Sequence, residues 1–455
     1  MTTSWRIING RVFDPANDID GESREILVHE GRIVDALPDD ASPRTLDATG
    51  LVIMPGGVDI HCHIASPSVN AARSLCGQEH ATHVHRCNHD QGLRSGSGVL
   101  TPSTFTTGYQ YAALGYTSAL EAAVSPTGAR QTHMQLADTP NLDAAMLLLL
   151  ANHEQLIGLI DHDQTEDATA FIGQMLRRTG AWGIKVVNPG GVASWRRHPE
   201  HHTIETLDDT IADTGVTPRK ILEQVTTAAE ALGLPHAPHI HANRLGLPGN
   251  VEITLDTIDA LAGRRAHLTH LQYHAYGEGD QEQVTSAVDR LLPAFAENPQ
   301  LTADVGQVIF GDAVTVTADT PLEHLLWRLT GTSTTGYISL EGELESGCGV
   351  MPITYRNTHR LHALQWAIGL ELMLGCENPW QMMLSTDHPN GGSFVGYPRI
   401  IGALMNRAVR EEIAAAAPTD ALASSGLSSM TREMTLAEIA VITRAAPART
   451  LGLIH

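Results

Sequence analysis

Five times along this chain a short apolar run of strand character ends in side chains that ligate metals or move protons. The runs cover residues 51–63, 181–188, 238–243, 266–271 and 382–388. Helical stretches such as 219–232 and 361–374 lie between them. Strands alternating with helices imply a parallel sheet. The spacing narrows this further. His241 and His270 are 29 residues apart, about one βα unit. His63 to Lys185 is 122 residues, room for three units with a long insertion; Lys185 to His241 is 56, one unit with an insertion; His270 to Asp387 is 117, two units with insertions. The polar groups then fall at the ends of strands 1, 4, 5, 6 and 8 of an α/β fold, a TIM-like (β/α)8 barrel, where catalytic groups gather. We expect residues 54–455 to form this barrel with insertions. Residues 1–53 read as a small N-terminal β-sandwich layer, with hairpins at Asn9-Gly10 and Glu30-Gly31.

With 42% apolar and 18% charged residues, the chain is globular. A net charge of −22 makes it a poor general binder of nucleic acid or anionic membrane, so neither is expected as a partner. The opening MTTSWRIING has no leader pattern, and the most apolar stretch, 144–150, is far short of the ~20 residues of a membrane span, so a cytoplasmic location is expected. Five scattered cysteines without a CxxC argue against a disulfide framework. The small-residue segments 414–417 and 421–429 read as a flexible surface.

The chemistry lies in the strand ends. In a strand, His61 and His63 point to one side and can hold one ion through nitrogen. Lys185 is one of two lysines, the other being Lys220. Within Ile184-Lys185-Val186-Val187 it would be buried, which lowers its pKa. A neutral amine adds carbon dioxide to give N6-carboxylysine, an anionic ligand able to bridge two cations. His241 and His270 would bind the second ion. His239 shares a face with His241, and His267 competes with His270; the places nearer the strand ends favour His241 and His270. Asp387 can bind the first ion and act as the catalytic proton acceptor. Two divalent ions, zinc by expectation, would acidify a shared water for hydrolysis of a C–N bond, or its reversal. The histidine-rich stretch 80–89 (His80, His83, His85, His89, with Cys76 and Cys87 near) fits no standard zinc spacing and reads as an active-site or interface loop.

In order and type, His61/His63, Lys185, His241, His270 and Asp387 resemble the ligand series of the amidohydrolase superfamily, the metallo-dependent hydrolases. A more specific resemblance rests on long strings: Pro55-Gly-Gly-Val-Asp-Ile-His-Cys-His63, Gly183-Ile-Lys-Val-Val-Asn-Pro-Gly-Gly191, His241-Ala-Asn-Arg-Leu-Gly-Leu-Pro-Gly-Asn250 and Thr269-His-Leu-Gln-Tyr-His-Ala-Tyr-Gly277. These are similar to the amidohydrolase-type subunit of formylmethanofuran dehydrogenase and to its counterpart, the alpha subunit of the bacterial formyltransferase/hydrolase complex. The resemblance implies interconversion of N-formylmethanofuran with formate and methanofuran, in the hydrolytic direction for the bacterial complex. It also implies a methanofuran-type carrier as substrate and other subunits of the complex as partners. Asn243 and Arg244 become candidates for substrate contact, with His239 beside them. Other readings are a cyclic-amide or hydantoin hydrolase, and a non-catalytic scaffold subunit. Superfamily members return to the sandwich after the barrel. Here residue 455 falls where that return would begin, so the expected β layer is smaller, completed by a partner, or cut short.

Overall fold

Turn residues shape the first 53 positions. Glu30 and Gly31 both take positive φ, and Ile26–His29 folds back antiparallel on Arg32–Val34, the hairpin the sequence implies. Asn9 also takes positive φ, but no hairpin follows. Ser4–Ile8 lies between Ile26–His29 and Arg44–Asp47 in a four-stranded sheet, whereas Arg11–Asp14 joins Ile19–Ser23 and Val52–Ile53 in a three-stranded one. The Asn9-Gly10 turn therefore carries the chain between sheets. A Cβ on Gly10 would come 2.3 Å from Ile53 Cδ1, so packing against the second sheet decides where the turn leads. The computed structural model describes residues 4–76, 98–198, 204–279, 283–330, 338–341 and 346–453. The histidine-rich stretch 80–89 lies outside the described residues.

Eight parallel strands follow: β1 (Gly57–Cys62), β2 (Tyr116–Val124), β3 (Asp143–Leu149), β4 (Gly183–Val187), β5 (His239–His241), β6 (Ala266–Leu268), β7 (Leu301–Asp304) and β8 (Met382–Met383). Each pairs with its neighbour in sequence order. The ring closes where Cys62 bridges His388 and the His63 amide donates to the His388 carbonyl at 2.7 Å. The unit count read from the spacing is thus the one observed. Every residue of β1 and β4 is buried, as strands covered on both faces must be.

Helices pack outside. Pro218–Ala231 starts with Thr217 accepting from the Lys220 amide and Pro218 in the first turn, then buries Ile221, Leu222, Val225 and Ala228. Arg360–Gly375 is buried all round from residue 363 to 374, as its continuous apolar sequence requires. Residues 421–429, expected to be flexible, are packed: Ala421 and Leu427 are buried, and Arg360 bonds Asp420 and Ser424. Between β7 and β8 an insertion folds as the antiparallel pair Gly311–Thr317 and Ser346–Tyr355, with Ile338–Glu341 alongside and the helix Thr320–Thr330. It stands over the C-terminal end of the barrel and walls the cavity there. Among the described residues no helix is long and apolar enough to cross a membrane.

Candidate metal centre

The strand ends bring six side chains to one cavity of about 470 Å³: His61, His63, Lys185, His241, His270 and Asp387. His61 and His63, at the end of β1, place their Nε2 atoms 3.1 Å from the same oxygen, Asp387 Oδ1. That oxygen is buried and makes no hydrogen bond, so the three atoms converge on a point instead of pairing along a line. The opposite ring nitrogens are anchored. His61 Nδ1 lies 2.9 Å from Asp304 Oδ2, and His63 Nδ1 lies 3.1 Å from Glu121 Oε1. Glu121 is itself fixed by the amides of Ile64 and Ala65, at 2.6 and 2.7 Å. A carboxylate behind each histidine fixes its tautomer and raises its basicity as a ligand.

The electrostatics call for a cation. Burial pushes the His63 imidazole down, but the Asp387 and Glu121 carboxylates outweigh it and lift the pKa to about 9. His61 is raised against its burial chiefly by Asp304. Burial would raise Asp387, yet the two histidines hold it well below the usual carboxylate range. Protons gather at this spot because it favours positive charge, and a metal ion would displace them.

The second half has a different character. His241 and His270 meet edge to face, ring centres 4.6 Å apart. His241 Nε2 and His270 Nδ1 are buried without hydrogen-bond partners, although Asp319 Oδ2 lies 3.2 Å from the former. Burial lowers both imidazoles, so they are neutral and carry lone pairs. Lys185 stands in the same cavity, its Nζ 3.4 Å from Thr269 Oγ1. Burial lowers the ammonium to about 8, although Asp304 and Asp387 pull the other way. A substantial neutral fraction is then present near neutral pH, and a neutral amine combines with carbon dioxide to give the carbamate and a proton. The orphaned Asp387 Oδ1, His241 Nε2 and His270 Nδ1 fit metal ligation, in the cavity that Lys185 also lines. His61, His63 and Asp387 can gather on one ion, and His241, His270 and His274 also lie within ligating range of one another.

The backbone is strained where the ligands project. Asn188, Arg244, His270 and Asp387, after β4, β5, β6 and β8, all have φ between 36° and 61°. Gly306 beside them has no choice of residue: a Cβ there would come 2.4 Å from His270 Cβ.

Three sequence candidates fall elsewhere. His239 lies one layer below, fully buried, its Nε2 3.3 Å from His61 Nδ1. Asn243 is buried and donates to Asn188 Oδ1 and the Pro189 carbonyl, outside the cavity wall. Arg244 pairs with Glu205 and lines a neighbouring cavity of about 340 Å³. His267, the competitor of His270, also lies below, bonded to Asp304 and Thr302. The sequence pattern did not single out Glu121, Asp304 or His274. Asp304 had a usable signal, since it closes the apolar run of β7 as the ligands close theirs.

Away from the ligands the cavity wall is mostly apolar, with Leu245, Val316, Leu322, Leu325, Ile353 and Leu361, while His359, His362, Gln365 and Asn390 add polar groups to it. Among the described residues Lys185 is the only lysine or arginine in it.

Comparison with known proteins agrees with this geometry. Residues 44–455 match the model of the amidohydrolase family. The chain is 37% identical over 459 residues to Protein FwdA of Methanocaldococcus jannaschii, covering 98% of this chain and 79% of that protein. It is 38% identical over 455 residues to the FhcA component of the formyltransferase/hydrolase complex of Methylorubrum extorquens, covering 98% and 80%. The crystal structure of the FhcABCD complex from Methylorubrum extorquens with methylofuran contains a chain that superposes with a TM-score of 0.89 at 37% identity, covering 99% of this chain and 81% of that one. The barrel's strand ends bring buried imidazoles, a lysine and an aspartate to one cavity, and the chain belongs to the amidohydrolase family of metal-dependent hydrolases.

Proposed function

We propose that this protein hydrolyses the C–N bond of an N-formyl group on a methanofuran-type carrier, releasing formate and the free amine. The observation that carries the reading is the split site, with one donor set of His61, His63 and Asp387, another of His241 and His270, and Lys185 lining the same cavity. In this reading Lys185, as N6-carboxylysine, would help the two donor sets hold two divalent ions, with zinc the ion of choice for imidazole and carboxylate donors. The ions, when bound, supply an acidified water and polarise the formyl oxygen. The protein's own groups do the rest. Asp387 accepts the proton of the attacking water on its carboxylate and returns it to the leaving nitrogen. Glu121 and Asp304 hold His63 and His61 in the tautomer that presents Nε2 to the cavity. The apolar walls take the carbon skeleton of the amine and shed water around the reacting bond. The balance is formamide plus water giving amine plus formic acid, which ionises in solution.

The similarity to FhcA and to the FhcABCD complex with methylofuran supports the carrier and a place among other subunits. The test is to supply the purified protein, with any copurifying subunits, with zinc, bicarbonate and formylated carrier. Formate and free amine should appear one for one. Turnover of a cyclic amide with none of the formylated carrier would contradict the reading.

A further inference from the structure

His274 is the one described buried histidine whose two ring nitrogens both lack a hydrogen-bond partner. The other buried imidazoles below the site are bonded on both sides. His236 meets the Thr450 carbonyl and His239, and His267 meets Thr302 and Asp304. A neutral imidazole always carries one N–H and one lone pair, and interiors rarely leave both unused. The cause is the short turn Leu271–His274, which follows β6 and starts from His270 in the left-handed conformation. That turn stacks the ring of His274 on His270, with centres 5.4 Å apart and planes 24° from parallel. His241 stands edge-on to it at 5.6 Å. One nitrogen from each of His241, His270 and His274 lies within 4.8 Å of the other two. Two nitrogens on one zinc can be at most about 4.2 Å apart, twice the usual ~2.1 Å bond. A small rotation of the rings covers the difference.

We propose that His274 is a third imidazole ligand for the cation held by His241 and His270. This rests on the two-cation reading above and extends it. The two ions then differ in kind. One is held by two imidazoles and a carboxylate, the other by three neutral imidazoles, with the carboxylated Lys185 in the same cavity. The third ring gives the second ion a fuller, better-held coordination shell and fewer open positions for substrate. The work of admitting substrate falls to the ion at His61, His63 and Asp387.

The deciding experiment is the crystal structure of the wild-type protein loaded with zinc(II) and bicarbonate, with the ions located by anomalous scattering at the zinc edge. The expected result is a His274 nitrogen within about 2.3 Å of the second ion, the ordinary zinc–nitrogen bond plus coordinate error. An ion there with His274 more than 3 Å away overturns this inference and leaves the two-cation reading standing. A protein that takes up no zinc overturns both. In parallel, His274→Ala is dialysed against increasing chelator beside the wild type. It should lose one of two zinc ions at a chelator concentration at least about tenfold lower and keep the other as the wild type does. Unchanged retention of both ions speaks against ligation. Should the variant fail to fold, the wild-type structure still decides.

Discussion

Asp304 ties together more of the site than any ligand does. Its Oδ2 accepts from His61 Nδ1 at 2.9 Å and from His267 Nε2 at 3.2 Å, while its Oδ1 accepts from the His270 amide at 3.0 Å. Burial alone would raise this carboxyl, but His61 and His267 hold it well below the usual range, so it stays ionised. One residue thus orients the His61 side chain in one donor set and the backbone of His270 in the other. Asp304→Asn keeps the volume and removes the charge and one acceptor. It should weaken zinc binding by about 10- to 100-fold, the usual effect of losing a partner behind a ligand. A zinc titration of the metal-free variant beside the wild type checks this, and equal affinities would contradict the role. The six ligand-type residues were legible in the sequence because each ends an apolar run at barrel spacing. Asp304 also ends an apolar run, but its role is set by contacts with residues 243 positions earlier and 37 positions earlier in the chain, which the run alone does not show. Asn243 and Arg244 show the converse: residues just past a ligand in sequence turn away from the cavity, since the left-handed Arg244 redirects the chain.

At the level of elements, β5 and β6 place imidazoles where barrels usually carry aliphatic side chains. His239 and His267 stack 4.5 Å apart beneath the site, and His236, just ahead of β5, joins them. Burial, with a smaller contribution from the neighbouring His267, lowers His236 to about 3. Its ordinary value is about 6.5. Below that pH the unfolded chain takes up a proton that the folded one refuses, so folding weakens as pH falls, by up to ~1.4 kcal/mol per pH unit, until about pH 3. His236→Leu should flatten the pH dependence of stability of the metal-free protein by about one proton between pH 6 and pH 4. Denaturant unfolding at several pH values measures it, and parallel slopes for the two proteins would contradict it. Helices were the most legible elements. The expected 219–232 and 361–374 became Pro218–Ala231 and Arg360–Gly375, because their apolar content leaves few alternatives. The Asn9-Gly10 hairpin failed because a turn dipeptide specifies a reversal and not which strand receives it.

The whole molecule is a barrel carrying two additions, one of which walls the site. The insertion between β7 and β8 walls the cavity with Val316, Leu322, Leu325 and Ile353, so part of the cavity wall lies outside the barrel proper. The sequence spacing announced an insertion there, but not its fold, because the pairing of Gly311–Thr317 with Ser346–Tyr355 is long-range. The N-terminal four-stranded sheet aligns Ile33, Val28, Trp5 and Arg44 in one cross-strand row. Ile33 is 78% exposed and Leu46, on a neighbouring row, 47%. An apolar face of this kind suits the proposed life of the chain among other subunits. All of this architecture converges on one claim, that the barrel holds two ions with the help of Lys185. The most direct test is metal content by plasma mass spectrometry on the chelator-free protein and on two variants, Lys185→Ala and Lys220→Ala. Lys220 is exposed and its ammonium bonds the Gly215 carbonyl, away from the cavity, so it serves as the control. The account predicts two ions per chain in the wild type and in Lys220→Ala, with metal and activity both lost in Lys185→Ala. A folded wild type without metal, or a Lys185→Ala protein that keeps its two ions and full activity, would contradict it.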